Sequence, residues 1–335
     1  MQSIIEFYPL LSHPKRAVIT THQKPDGDAM GSSLALYHFL KLLGFDVAVI
    51  SPTNWANFLD WLPGCNTVLD FEHNKDIAKN IIKESELIFC LDFNALSRIK
   101  NMANCIEKAS SIKILIDHHQ QPQEEAFDYG YSDATKSSTC EMIYDFIVQS
   151  GHSDKINVDI ATCLYTGVMT DTGSFRFAST TASVHRMIAH LMELGLNHTI
   201  IHEHLYDNFL ENRLRFIGHA LSNRMEVLYE YNTAVMAIPK SDLIKYDIKT
   251  GDTEGLVNYL HTIQGIKLAA IVIDRDEERK WSFRSKGNFN VNTFARDHFE
   301  GGGHVNAAGG RSSDSLTVTL KKFHEVIKEY KQQLQ

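Results

Sequence analysis

The sequence contains no apolar run of the ~18 residues that a membrane-spanning helix requires. It is also poor in paired cysteine. Its five cysteines, Cys65, Cys90, Cys105, Cys140 and Cys163, are odd in number, scattered, and nowhere form a C-x-x-C pair. That argues against a disulfide framework and fits free thiols in a reducing compartment. The first residues, MQSIIEFYPLLSHPKR, lack the basic start, clean apolar stretch and cleavage site of a signal peptide, so a cytoplasmic protein is expected. Cationic side chains are outnumbered: 33 Lys and Arg stand against 41 Asp and Glu, a formal net charge of -8. A broad basic face gripping long duplex nucleic acid is therefore excluded as the working idea. A small phosphorylated substrate at one local positive site stays compatible, and metal ions could supply that charge. Proline is scarce at seven residues, and no repeat or low-complexity tract occurs. With 43% hydrophobic and 22% charged residues, the chain can bury proper cores and need not be disordered.

A chain of 335 residues suggests two domains. Through residue 130, strand patterns alternate with helix patterns. AVITTH (17–22), DVAVIS (46–51), LIFCLDF (87–93) and IKILIDHH (112–119) are continuously apolar, as in strands covered on both faces. A helical segment runs from about Asp28 to Leu43 and is closed by Gly44. Strand–helix alternation predicts an α/β, doubly wound parallel sheet. Helical patterns follow at 137–151, 158–173 and 180–195, each stopped by glycine. Residues 196–223 are polar-helical and read as a helical connector between domains. After Met225, two strand pairs are expected: EVLYEY with TAVMAIP around Asn232, and 268–276 with 280–287. A glycine-rich segment and a last helix complete a smaller α/β C-terminal domain. The predicted boundaries are 1–195, 196–223 and 224–335.

The acids and histidines fall in a pattern. His22, Asp26 and Asp28 follow the first strand, Asp92 ends LIFCLDF, and Asp117, His118 and His119 end IKILIDHH. Binding sites of open parallel sheets lie outside the carboxyl ends of the strands. A fourth group, Asp171 in TGVMTDTGSF, ends a helix pattern and could fold over the same edge. Each piece has a plainer reading. Asp26 and Asp28 could cap a helix, Asp92 could pin a loop, the histidines could be exposed, and Asp171 could be a turn residue. Taken together, five acids and three histidines at one edge would repel strongly without an offsetting cation. Carboxylates with imidazoles and no cysteine suit Mn²⁺, and also Mg²⁺, Fe²⁺ or Co²⁺. The ligands are too many for one ion, and two ions about 3.5–4 Å apart would use them.

The ordered set HQKPDGDAMGS, LDFNALSR, DHH at 117–119 and MTDTGSF resembles the four motifs of the DHH phosphoesterase superfamily. FRSKG, GGGH and AAGG resemble its DHH-associated C-terminal domain, so the resemblance spans about residues 15–330. It implies one metal held by His22, Asp26 and Asp92 and another by Asp28, Asp92, His118 and Asp171, with Asp92 bridging. It implies that Asp117 orients the site and that His119 faces a substrate phosphate. In the C-terminal domain it implies substrate binding by Arg284, Ser285, the amides of Gly301, Gly302 and Gly303, and His304. The compact two-domain layout is most similar to the small bifunctional oligoribonucleases, or nanoRNases, that also dephosphorylate 3′-phosphoadenosine 5′-phosphate (pAp). RecJ-type exonucleases carry an extra nucleic-acid module, and membrane-bound cyclic dinucleotide enzymes carry transmembrane and sensor parts. The manganese pyrophosphatases have a C-terminal domain without the GGGH…AAGG pattern. Hydrolysis of short RNA and pAp is thus implied, along with a homodimer. The alternatives are a linear or cyclic dinucleotide phosphodiesterase, another small-phosphoester phosphatase such as a pyrophosphatase, and a nucleotide-binding regulatory protein without catalysis.

Outside the motifs the histidines read more plainly. His202 and His204 are taken as surface or connector residues, and His185, His190 and His219 as packed or exposed helix residues. Arg98 and the run Ser137-Ser138-Thr139 lie near the motifs and are expected to support them or cap a helix.

Overall fold

The apolar runs of the N-terminal half become one parallel sheet. The computed structural model describes residues 1–249, 251–275 and 278–335. Two compact units are present, Met1–Asn208 and Phe209–Gln335.

The first unit has strands β1 (Gln2–Ser3), β2 (Arg16–Thr20), β3 (Asp46–Ser51), β4 (Leu69–Asp70), β5 (Leu87–Leu91), β6 (Ile112–Asp117) and β7 (Tyr129–Ser132). They pair in the order β1-β7-β6-β5-β2-β3-β4, and every pairing is parallel. Side chains alternate between faces along each strand. Ala17, Ile19, Phe89, Leu91 and Ile114 join one core, whereas Val18, Ile88, Cys90 and Leu115 join the other. Double burial explains why these strands read as unbroken apolar runs. Helices α1 (Gly27–Leu42), α4 (Thr139–Gln149), α5 (Val158–Asp171), α6 (Ala182–Glu193) and α7 (His198–Tyr206) serve the first core. Helices α2 (Lys75–Glu84) and α3 (Ala103–Lys108) serve the second. The chain winds from β2 to β3 and β4, then re-enters at β5 on the other side of β2. The β2/β5 boundary is therefore the topological switch point, where open parallel sheets bind ligands.

Helices α1 and α5 approach too closely for side chains at their crossing. A Cβ on Gly31 would sit 2.5 Å from the Cys163 carbonyl oxygen, and one on Gly167 would sit 3.0 Å from the Asp28 Cα. This contact brings the C-terminal end of α5, with Asp171, next to the N-terminal turn of α1.

The second unit has β8 (Met225–Leu228), β9 (Thr233–Ile238), β10 (Leu268–Asp274), β11 (Arg279–Ser285), β12 (Gly302–Gly303) and β13 (Ala307–Ser312), in the order β12-β13-β11-β10-β9-β8. Both expected strand pairs are present and antiparallel, and Asn232 turns the first with φ of +44°. The second pair ends at Asp274 and resumes at Arg279; Asp276, at the end of its expected first strand, lies outside the described residues. One face packs Trp281, Phe283, Phe294 and Phe323 with α11 (Val291–His298) and α12 (Leu316–Val326). The other packs with α8 (Glu211–Asn223), α9 (Lys240–Lys245) and α10 (Leu256–His261). On α9, Asp242 is held by Arg224 at 2.6 and 3.0 Å and by His219 at 3.1 Å.

Residues 196–223 do not form a separate connector. Ile201 and Leu205 of α7 are buried in the first unit, and Phe216 and Ala220 of α8 in the second, so the stretch divides at 208/209. Its polar surface hid two short apolar stripes. Among the described residues no helix is long and apolar enough to cross a membrane.

The α1–α5 crossing yields a stability prediction. Gly31→Ala forces a methyl against helix backbone and costs about 1–3 kcal/mol. Thermal unfolding of the first unit should fall by roughly 2–10 °C; an unchanged midpoint would show that the crossing has slack.

Candidate metal centre

The turn after β2 starts α1 with Asp26 as N-cap. Its Oδ1 accepts from the amides of Asp28 and Ala29, both at 3.1 Å. Its other oxygen, Oδ2, lies 3.9 Å from His22 Nε2. The helix cap and the approach to His22 therefore use different oxygens of one carboxylate. The His22 ring is oriented by Nδ1, which donates to the Gln23 carbonyl at 2.8 Å.

Asp28, fully buried, is gripped by the N-terminus of α4. Thr139 N donates to Oδ2 at 2.7 Å and Cys140 N to Oδ1 at 2.9 Å. The next amide, of Glu141, goes to Ser138 Oγ at 3.0 Å. Amides at a helix start have no intrahelical partner, and the helix dipole favours an anion there. Ser138 does cap a helix, as its neighbourhood predicts, but Thr139 does more: its hydroxyl donates to Asp92 Oδ1 at 3.1 Å.

Asp92 follows β5 with φ of +61°, a left-handed conformation that costs energy for a residue with a side chain. The twist places its carboxylate between two groups. Oδ2 lies 3.4 Å from His22 Nε2, and Oδ1 lies 3.5 Å from His118 Nε2. His118 Nε2 is also 3.8 Å from Asp28 Oδ2 and 3.3 Å from Asp171 Oδ2. Its Nδ1 faces the Lys136 carbonyl at 3.4 Å. Two clusters result, His22–Asp26–Asp92 and Asp28–Asp92–His118, sharing Asp92. Asp171 extends the second. Asp117 and His119 also cluster with Asp92, and Asp117 Oδ1 fixes the His119 ring through Nδ1 at 2.7 Å. Asp117 Oδ2 is buried without a hydrogen-bond partner among the described residues.

The electrostatics are those of crowded acids. Burial, then the charge of Asp92, pushes Asp28 up to about 7. Burial, then Asp28, raises Asp171 well above the usual carboxylate range. Burial would raise Asp92 too, but hydrogen bonds from His118 and His22 hold it well below that range. Burial opposes charge on His118 and His22, yet the bond to Asp92 and the neighbouring carboxylates raise both.

The donor set fits divalent cations. Two ligand atoms 2.1 Å from a common ion and a right angle apart lie about 3 Å from each other. The imidazole–carboxylate separations run from the edge of hydrogen-bond range at 3.3 Å to beyond it at 3.9 Å, and the shorter ones are close to that span. All six residues expected as ligands are thus brought together.

Residues 16–168 match the DHH family N-terminal domain, and residues 230–335 match the DHHA1 domain. A Thermus thermophilus protein named bifunctional oligoribonuclease and PAP phosphatase NrnA is 30% identical, covering 93% of this chain and 89% of that one. The chain belongs to the DHH family. A Bacillus subtilis protein of the same name is 28% identical over 93% of this chain and 95% of its own. The crystal structure of an exopolyphosphatase-related protein from Bacteroides fragilis superposes with a TM-score of 0.93 at 36% identity, covering 99% of this chain and 97% of that one.

The DHHA1 unit departs from the expected site in two places. Ser285 is buried; it donates to the Phe289 carbonyl at 2.6 Å and accepts from Asn306 at 2.9 Å. Its hydroxyl closes a turn instead of facing a ligand. The triple glycine is not an open anion cradle. Gly301 N donates to Ala295 O at 3.1 Å, Gly303 N to Asn292 Oδ1 at 3.0 Å, and His304 N to Ala307 O at 2.7 Å. A Cβ on Gly301 would meet the Gly309 carbonyl oxygen at 2.0 Å, so close strand pairing demands glycine there. Gly302 pairs with Gly309, and His304 stands at the tip of the β12–β13 turn. Arg284 is on β11, partly buried, with Nη1 donating to the Phe283 carbonyl at 3.0 Å.

The crowding of acids predicts a stability difference that depends on metal. Asp171→Asn removes negative charge and should leave the metal-free unfolding midpoint within about 2 °C of wild type. Added Mn²⁺ should raise the wild-type midpoint markedly and the variant's far less, since binding stabilises the folded state. Equal metal-induced shifts would remove Asp171 from the ligand set.

Proposed function

We propose that this chain is a metal-dependent hydrolase that cleaves short oligoribonucleotides to nucleoside 5′-monophosphates and converts pAp to AMP and phosphate. The observation that carries this reading is the pair of carboxylate–imidazole clusters sharing Asp92 at the switch point of a DHH fold. Likeness along nearly the whole chain to proteins named bifunctional oligoribonuclease and PAP phosphatase supplies the substrate class. The non-catalytic alternative has less support, because a binding protein gains nothing from burying this many acids together.

In this reading His22, Asp26 and Asp92 would hold one divalent ion, and Asp28, Asp92, His118 and Asp171 would hold the other, with Mn²⁺ the best match to the donors. Two such ions would supply an activated water at neutral pH and offset charge on the phosphoryl oxygens. The protein's own work is positioning. Asp92 fixes the spacing of the two clusters. The backbone amides of α4 keep the Asp28 carboxylate in one orientation. Asp117 holds the His119 proton on Nδ1, so the other edge of the ring serves the substrate phosphate. Hydrolysis joins a water oxygen to phosphorus and breaks the bond to the leaving oxygen, which ends protonated. The same chemistry serves an internucleotide phosphate and the 3′-phosphate of pAp.

The first unit carries this chemistry, and we assign substrate holding to the DHHA1 unit, through Arg284 and His304. The planar guanidinium of Arg284 suits a terminal phosphate. The net charge of -8 agrees with small substrates over long duplexes. A cytoplasmic homodimer completes the proposal.

The decisive experiment is a panel of length-defined oligoribonucleotides, pAp, cyclic dinucleotides and pyrophosphate with Mn²⁺. Short RNA and pAp should be turned over, and chelation should abolish both activities; failure of both with metal loaded would reject the reading. Asp92→Ala should lower both activities together by more than about 100-fold. For Arg284→Ala, a KM increase of roughly 10–100-fold is expected with kcat little changed. An unaltered KM would remove Arg284 from the substrate site.

A further inference from the structure

The motifs account for the residues around the candidate ions, but not for a buried acid on α4 behind them. Glu141 is only 3% exposed, and its carboxylate is fully engaged. Oε2 accepts from Ser137 N and from Ser137 Oγ, each at 2.8 Å. Oε1 accepts from Ser183 Oγ of α6 at 3.0 Å and lies 3.3 Å from Lys136 Nζ. Lys136 in turn pairs with Asp145 at 2.6 Å, and Tyr131 donates to Asp145 at 3.1 Å.

The sequence S-x-x-E over Ser138–Glu141 is a capping box, and Ser138 Oγ accepts the Glu141 amide as the motif predicts. The acid departs from the motif. It would ordinarily reach back to the amide of the cap residue; here it reaches one residue further, to Ser137. That shift clamps the turn 136–138 from the far side. The turn and the first residues of α4 make four contacts to the candidate ligands. The Lys136 carbonyl orients His118, Thr139 N and Cys140 N grip Asp28, and Thr139 Oγ1 donates to Asp92. One carboxylate therefore braces the segment that aims three of the six proposed ligands.

We propose that Glu141 is a positioning residue of the metal centre. It acts through Ser137 and the α4 N-terminus and sets the affinity for divalent ions without touching them. This rests on the proposed metal-dependent reading. Residues behind first ligands commonly govern metal affinity by about 10–100-fold.

The test is calorimetric titration of the full chain with Mn²⁺, alongside metal-free thermal unfolding. Glu141→Ala should fold and bind Mn²⁺ about 10–100-fold more weakly. Glu141→Gln keeps an acceptor for Ser137 and a donor for Ser183 Oγ but loses the charge facing Lys136. It should fold as wild type and lose roughly 3–10-fold in affinity. Should the alanine variant not fold, the glutamine variant decides. A folded variant with wild-type Mn²⁺ affinity, whatever its unfolding midpoint, would overturn the proposal and reduce Glu141 to a packing role. Wild-type protein that binds no Mn²⁺ would instead overturn the metal centre itself, so the two failures are distinct.

Discussion

Buried negative charge with little buried positive charge is the constraint around which the first unit is organised. Asp28, Asp92 and Asp117 are almost fully out of water, and Asp26 and Asp171 stand beside them. An isolated buried carboxylate is costly by several kcal/mol. Among the described residues, backbone amides, imidazoles and hydroxyls meet that cost. Asp28 receives two amides from α4, Asp26 receives two from α1, and Asp92 faces two histidines and a threonine hydroxyl. The backbone amides and the Thr139 hydroxyl hold the carboxylates in place without cancelling their charge, which is what a cation site requires.

Helix ends do much of this holding. The starts of α1 and α4 both present amides to aspartates, and the close α1–α5 crossing carries Asp171 to the same edge. The glycines at that crossing are thus part of the site although they carry no chemistry. The strained backbone at Asp92 fits the same picture, since such conformations persist where surrounding structure over-determines them. In the second unit, glycine has another use. Gly301 and Gly303 let β12 lie against β13 at distances no side chain permits, and their amides are spent inside the domain.

Much was legible in the sequence because the signals were local. The doubly covered strands were continuous apolar runs, the helices ended at Gly44, Gly151 and Gly195 with positive φ, and Asn232 marked its turn. The acids and histidines at the sheet edge were legible because they follow strand ends or a helix end, and the resemblance to the DHH family marked six of them as candidate ligands. The connector was misread because α7 and α8 each bury only a narrow stripe, Ile201 and Leu205 or Phe216 and Ala220, under a polar surface. The roles of Ser285 and the triple glycine were misread because a motif names residues and not the direction of their hydrogen bonds.

Sequence alone determined the α/β class, the division into two units and the set of acids and histidines, since each depends on periodicity or spacing along the chain. Only the tertiary structure decided which oxygen does what. Asp26 divides its carboxylate between a helix cap and His22, Asp92 turns one oxygen to each cluster, and Thr139 and Glu141 join from a helix more than a hundred residues after Asp26. Those assignments rest on hydrogen-bond direction between segments remote in sequence, which no local pattern encodes.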